Sequence, residues 1–183
     1  MNRRLLGALE GVDGVTVDDL YEKYPDLMVD AKREQALLVE HDVVVMQHPF
    51  YWYSTPGILK DWQDIVLEHG WAYGTDATAL KGKILFNVVT TGAPMSAYSE
   101  GGRNRYTMRQ LLAPIELTAG LCGMRFLPPF VVHSALTLGT DDDVGPYIQD
   151  YRRLIEALRD DKIDLEQAAK AEGLNDIARR MRQ

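Results

Sequence analysis

His41-Asp42-Val43-Val44-Val45-Met46-Gln47, closed two residues later by Pro49, decides the fold. A continuous apolar, β-branched run without polar alternation is what a strand buried on both faces of a parallel sheet requires. Ile84-Leu85-Phe86-Asn87-Val88-Val89 repeats the pattern and ends at Thr90-Thr91-Gly92, and Phe130-Val131-Val132-His133 supplies the last strand. Helical spacing fills the intervals. Pro56 opens a helix over 57–69 with Ile58, Leu59, Trp62, Ile65 and Val66 as its apolar stripe. A helix over 108–121 is interrupted by Pro114, and another covers 144–158. Upstream, a helix holds 34–40, Val15 and Val17 alternate in a short strand, and the chain opens in a helix carrying Leu5, Leu6 and Leu9, with Gly11 as its stop. Strands and helices that alternate in this way predict an α/β class, with a parallel sheet and helices on both faces. Residues 1–160 form one domain. Residues 161–183, with Leu165, Ala168, Ala169, Leu174, Ile177 and Met181, read as a surface helical hairpin.

The bulk properties narrow the function. A chain of 183 residues, 46% hydrophobic and 26% charged, buries a core without disulfides or metals. A net charge of -7 argues against a nucleic-acid partner held by phosphate neutralisation. The single cysteine, Cys122, excludes an intrachain disulfide, fits a reducing compartment and sits in the apolar stretch 117–124 as a buried small residue. His41, His48, His69 and His133 lack metal-ligand spacing, so no metal site is expected. Neither a signal peptide nor a run of about 20 apolar residues appears, which places the chain in the cytoplasm.

A doubly wound sheet begins with a strand whose loop cradles a phosphate at the next helix N-terminus. Here the first element is the helix, so that strand and its phosphate loop are expected to be missing from this chain. In the 2-1-3-4-5 order, its removal would leave neighbouring strands about 9 to 10 Å apart with unpaired backbone between them. Three outcomes follow: an upstream segment fills the slot, the second strand closes onto the third, or another chain enters. The first is expected.

Ligands of such sheets bind beyond the carboxyl ends of the strands. His48-Pro49-Phe50-Tyr51-Trp52-Tyr53-Ser54-Thr55-Pro56 places four aromatic residues between two prolines, which suits a stiff wall for a flat aromatic ligand and equally a hydrophobic dimer patch. Thr90-Thr91-Gly92-Ala93-Pro94 offers hydroxyls and a glycine for close approach to a polar edge. In the loop over 98–106, Gly101-Gly102 allows a mobile excursion. Arg103 and Arg105 make a basic spot that meets a nucleotide phosphate or pairs with local carboxylates.

Gln47 to Pro56, Leu59-Lys60-Asp61-Trp62, Gly70-Trp71-Ala72-Tyr73-Gly74 and Val89-Thr90-Thr91-Gly92 together resemble the NAD(P)H:quinone oxidoreductase family. Leu20-Tyr21, Tyr24-Pro25-Asp26, Asn104-Arg105-Tyr106 ahead of Pro114 and Glu116, and Leu127-Pro128-Pro129-Phe130 are similar to its subgroup of ancillary proteins of glutathione-regulated potassium-efflux systems. The match runs in order over residues 2–133. The resemblance implies a flavodoxin-like three-layer α/β/α homodimer that binds FMN, or FAD, near the dimer interface and uses NAD(P)H as co-substrate. It implies a ping-pong reaction in which the flavin takes a hydride and passes two electrons to a quinone or related electrophile. Pro49, Phe50, Tyr51, Trp52 and Tyr53 would flank the flavin, and Thr90, Thr91, Gly92 and Ala93 would meet its polar edge, with 70–74 in support. Tyr98 falls where relatives place a charge-stabilising tyrosine. Asn104 replaces a nearby histidine and can donate a hydrogen bond but take no proton at neutral pH. Without the phosphate loop, the chain as given is expected to bind FMN poorly and an upstream-extended form to bind it well. The subgroup also implies an alternative: a regulatory subunit that docks on a potassium-efflux antiporter at the inner face of the membrane.

Overall fold

The computed structural model describes residues 1–182. Its centre is a parallel sheet of β1 (Val43–Pro49), β2 (Ile84–Thr90), β3 (Arg125–Phe126) and β4 (Phe130–Val132), with β2 in the middle. β1 pairs with β2 from Val43 opposite Ile84 to Pro49 opposite Thr90. Across β2, β3 pairs at Ile84–Leu85 and β4 at Val88–Thr90. Leu127-Pro128-Pro129 separates β3 from β4, because proline has no N–H to give a ladder. Every β2 residue from Leu85 to Thr90 is buried, as its unbroken apolar run demands.

β2 side chains alternate between two helical layers. Phe86 and Val88 pack with α1 (Asn2–Gly7), α7 (Asp141–Arg159) and α9 (Leu174–Arg180) through Leu5, Tyr151, Leu154 and Ile177. Leu85 and Val89 face α3 (Ala31–Glu40), α4 (Gly57–Val66), α5 (Met108–Leu111) and α6 (Ala113–Leu121) through Leu38, Trp62, Met108 and Ala119. Short helices α2 (Leu20–Lys23) and α8 (Leu165–Ala169) complete the chain. A buried carboxylate, Glu34 of α3, ties the second layer together: it accepts from the Tyr24 hydroxyl at 2.6 Å and from Trp62 Nε1 of α4 at 2.8 Å.

The structure departs from the sequence reading at several points, the first helix among them, which ends at Gly7 before Leu9. Residues 15–17 form no strand; Thr16 Oγ1 instead lies 2.9 Å from His41 Nε2. A short apolar segment keeps strand geometry only with a ladder partner, and none of the described residues supplies one there. α4 stops at Val66, where the Gln35 side chain donates to the Val66 carbonyl (3.0 Å) and Gly70 turns the backbone with φ 84°. The interruption expected at Pro114 in the helix over 108–121 is present, by contrast: Thr107 and Gln110 form a capping box that opens α5, and Pro114 takes the first turn of α6. Finally, the segment after 161 is no surface hairpin, because Ala168, Leu174, Ile177 and Ala178 are buried in the same core as α7.

That last segment also closes one edge of the sheet. Asn175 Oδ1 accepts from the Val131 N–H at 2.8 Å, and its Nδ2 donates to the Val131 carbonyl at 3.0 Å. One side chain thus occupies both backbone groups that a further strand would need. At the opposite edge, no strand among the described residues pairs with the outer side of β1. No described helix is long and apolar enough to cross a membrane. Among the described residues, no cluster of three or more His, Cys, Asp or Glu is placed to hold a metal ion.

Candidate active site

Because β1, β2 and β4 run parallel in register, their carboxyl ends lie side by side and their turns share one rim. The Phe50 N–H donates to the Thr90 carbonyl, and the Thr91 N–H to the Val132 carbonyl, each at 2.9 Å. Past β1, Tyr51 and Ser54 exchange backbone hydrogen bonds (3.1 and 2.9 Å) around Trp52 and Tyr53. Both central residues are left-handed, with φ 49° and 63°. This is the twist of a type I′ turn, which ordinarily takes Asn-Gly. Holding two bulky residues there costs on the order of 1–3 kcal/mol each.

The turn sorts the aromatic residues. Phe50 meets Tyr53 edge-on at 6.4 Å and Tyr98 at 6.3 Å between ring centroids. The Tyr53 hydroxyl donates to Asn104 Oδ1 at 3.3 Å. Phe50, Tyr53, Tyr98 and Asn104, separated by up to 54 positions in sequence, therefore stand together beside Thr90 and Thr91. Trp52 does not join this wall. At the tip of the turn, its side chain is 94% exposed, and Tyr51 is also outward, while Pro49 ends β1 opposite Thr90.

At the end of β2, Thr90 Oγ1 accepts from Asn2 Nδ2 at 3.0 Å, and the Thr91 hydroxyl donates to the Ala93 carbonyl at 2.8 Å. Among the described residues, the N–H groups of Gly92 and Ala93 donate to no protein acceptor. A Cβ at Gly92 would lie 3.2 Å from Cδ1 of Leu136, an exposed side chain with room to give. Gly102 serves close approach rather than an excursion: a Cβ would fall 2.3 Å from the Ser96 carbonyl oxygen, and the Asn104 N–H donates to Ala97 just beyond (3.0 Å). Arg103 and Arg105 are exposed on this folded-back loop. Burial raises the Tyr98 hydroxyl above its ordinary pKa, with the Thr91 hydroxyl acting in the opposite direction.

Four further polar residues, Asn2, Gln47, His48 and Asn87, reach this rim although the sequence reading gave none of them a site role. Asn2 Oδ1 and Gln47 Oε1 are buried acceptors without a partner, although Gln47 Nε2 donates to the Asn2 carbonyl at 3.0 Å. His48 is buried under the β1 turn, with Nδ1 3.0 Å from the Pro49 carbonyl and Nε2 3.1 Å from Asn87 Nδ2. Only the Nδ1–H tautomer satisfies both contacts, so His48 is neutral; burial accordingly lowers its pKa. The one sequence signal was polarity inside apolar strands, at Gln47, His48 and Asn87.

A family model described as a flavodoxin-like fold matches residues 1–155. The chain belongs to the flavodoxin-like family. Among flavodoxin-like relatives, the glutathione-regulated potassium-efflux system ancillary protein KefG of Pectobacterium carotovorum is 49% identical over 140 residues, 76% of either chain. The general stress protein 14 of Treponema denticola, solved in complex with FMN, is 37% identical with a TM-score of 0.79, covering 85% of this chain and 89% of its own. An NADPH-quinone reductase from P. pentosaceus is 30% identical with a TM-score of 0.73, covering 83% and 86%. Across the flavodoxin-like fold, the rim beyond the strand ends is the ligand-binding edge, and here it carries the aromatic and threonine-glycine turns together.

Proposed function

We propose that this chain is an FMN-dependent NAD(P)H:quinone oxidoreductase. The observation that carries the reading is the junction of the two turns: an aromatic wall of Phe50, Tyr53 and Tyr98 beside two unused N–H donors at Gly92 and Ala93. The residues fit a flavin. Its ring has a polar edge that needs donors and apolar faces that need rings, and its ribityl hydroxyls are donors suited to the orphaned oxygens of Asn2 and Gln47. When bound, the flavin supplies the chemistry of accepting a hydride and releasing two electrons. The protein contributes position and charge stabilisation. Gly92 and Ala93 would hold the ring edge, Tyr98 would offer a hydroxyl hydrogen kept in place by burial, and the amide NH₂ of Asn104 would stay available because its oxygen takes the Tyr53 hydroxyl.

Titration with FMN and riboflavin, followed by NAD(P)H bleaching and reoxidation by a quinone, tests the reading. Saturable binding with reversible bleaching is the expected result. Flavin-loaded protein that NAD(P)H does not bleach does not have this function.

Two partner assignments accompany the proposal. The outer face of α6 exposes Leu117 and Leu121, and beside it a cleft of ≈ 360 Å³ is lined by Lys60, Leu67, Tyr73 and Ile115. A helix apolar on both faces calls for a covering surface, which a second copy provides as a homodimer. Light scattering should give twice the chain mass, and Leu117→Glu should give the monomer; a monomeric parent chain removes the assignment. Similarity to KefG supports the alternative of a regulatory subunit on a potassium-efflux antiporter. Flavin-free protein that still co-purifies with such an antiporter would favour it.

A further inference from the structure

The residue that follows β4, His133, has no role in the reading so far, yet it touches both turn residues that matter most. Its Nδ1 lies 3.3 Å from Thr91 Oγ1, and its ring centroid lies 5.4 Å from that of Tyr98, tilted by 39°. One assignment of hydrogens satisfies both side-chain contacts of Thr91. The Thr91 hydroxyl has a single hydrogen, already donated to the Ala93 carbonyl at 2.8 Å. The contact with His133 is a hydrogen bond only if Nδ1 carries the proton, which leaves Nε2 as a lone pair. Burial agrees, pushing the imidazole pKa down to about 4 and keeping the ring neutral. The backbone past His133 reinforces the same turn: the Ser134 N–H donates to the Ala93 carbonyl at 3.1 Å, and the Ala135 N–H to the Thr91 carbonyl at 2.8 Å. Ser134 adopts φ 55°, so the chain bends sharply to make these contacts. With both carbonyls and the Thr91 hydroxyl engaged, Gly92 and Ala93 keep their N–H groups facing no protein acceptor among the described residues.

We propose that His133 is a positioning residue: as a neutral Nδ1–H imidazole it locks the Thr91 hydroxyl and backs the Tyr98 ring, so that the donors of the 91–93 turn are set before a ligand arrives. The inference deepens the flavin reading and rests on it for its consequence, though not for its geometry. His133 need not touch the flavin; it acts through Thr91 and Tyr98. A turn organised in advance binds a planar ligand without first ordering its backbone, and loss of the lock therefore appears in affinity.

The test has two arms. In flavin-free, ¹⁵N-labelled protein at neutral pH, long-range ¹H–¹⁵N spectra should show His133 protonated at Nδ1 and bare at Nε2; the opposite tautomer overturns the proposal. In FMN titrations, His133→Phe keeps a ring against Tyr98 but removes the donor, and should weaken binding about tenfold. Thr91→Val should do the same, Thr91→Ser should stay within about twofold of the parent chain, and His133→Phe with Thr91→Val together should lose no more than Thr91→Val alone. Fully additive losses overturn the lock, because they mean that the two residues act separately. Where the parent chain binds no FMN, the tautomer alone decides the inference.

Discussion

At the scale of single residues, the site is built from strain and from unused hydrogen-bonding groups. Trp52 and Tyr53 hold left-handed φ values that Asn-Gly would adopt freely. Replacing the pair by Asn-Gly (Trp52→Asn with Tyr53→Gly) should therefore stabilise the fold by about 1–2 kcal/mol in urea denaturation. The same double variant should weaken FMN at least about tenfold, since the Tyr53 ring leaves the wall beside Phe50. A less stable variant would show that the turn is relaxed, not strained. The aromatic run was legible because two prolines bracket it and four rings in an exposed loop demand a purpose. The inversion of Trp52 to the outside was not legible, because no glycine or asparagine announces a left-handed turn there. Asn2 and His133 were passed over for a related reason: a lone polar residue at an element's end is usually solvated, and only contact with Thr90 or Thr91 gives it meaning.

At the scale of elements, the strands with continuous apolar runs were readable and the marginal one was not. Val43–Pro49 and Ile84–Thr90 carry enough buried surface to fix their own identity. Val15 and Val17 had the alternation of a strand but no ladder to join, so propensity alone did not hold them. The edge of β4 shows how a side chain completes what a strand lacks. Asn175→Leu keeps the volume but leaves the Val131 N–H and carbonyl unmet, and should destabilise the chain by about 2–3 kcal/mol. Urea midpoints of the two proteins measure this, and a difference below about 0.5 kcal/mol would mean that water replaces the asparagine without loss. Nothing in Gly173-Leu174-Asn175 marks it as an edge cap, because its partner lies 44 residues earlier.

At the scale of the whole molecule, acid should unfold the protein in two stages. Burial lowers the folded-state pKa of His48 and takes His133 from 6.5 to about 4. The unfolded chain then binds more protons than the folded one across that interval, so stability is full above pH 6.5 and falls as the pH drops toward 4. Carboxylates act below this window. Burial raises Asp18, but hydrogen bonds and charge from Arg33 outweigh it and leave its pKa lowered, and Asp160 is drawn down to about 2, chiefly by Arg159. Stability held by these two groups is present above about pH 4 and lost as they protonate. Denaturant midpoints should stay level from pH 7.5 to about 6.5 and decline from there to pH 4.5, and His133→Phe should flatten the decline; a level profile down to pH 4.5 in the parent chain would place the histidines in contact with water. By itself, the sequence determined the α/β class, the buried strands and the two candidate turns, since these depend on local patterns of apolarity and turn residues, and its ordered motifs carried the resemblance to the family. Only the tertiary structure decided which aromatic rings meet Phe50, that Asn2, Gln47 and His133 stand beside the candidate turns, and that the last helices close the sheet. Each of those depends on residues tens of positions apart meeting across parallel strands, where a hydrogen bond finds or lacks a partner that no local window contains.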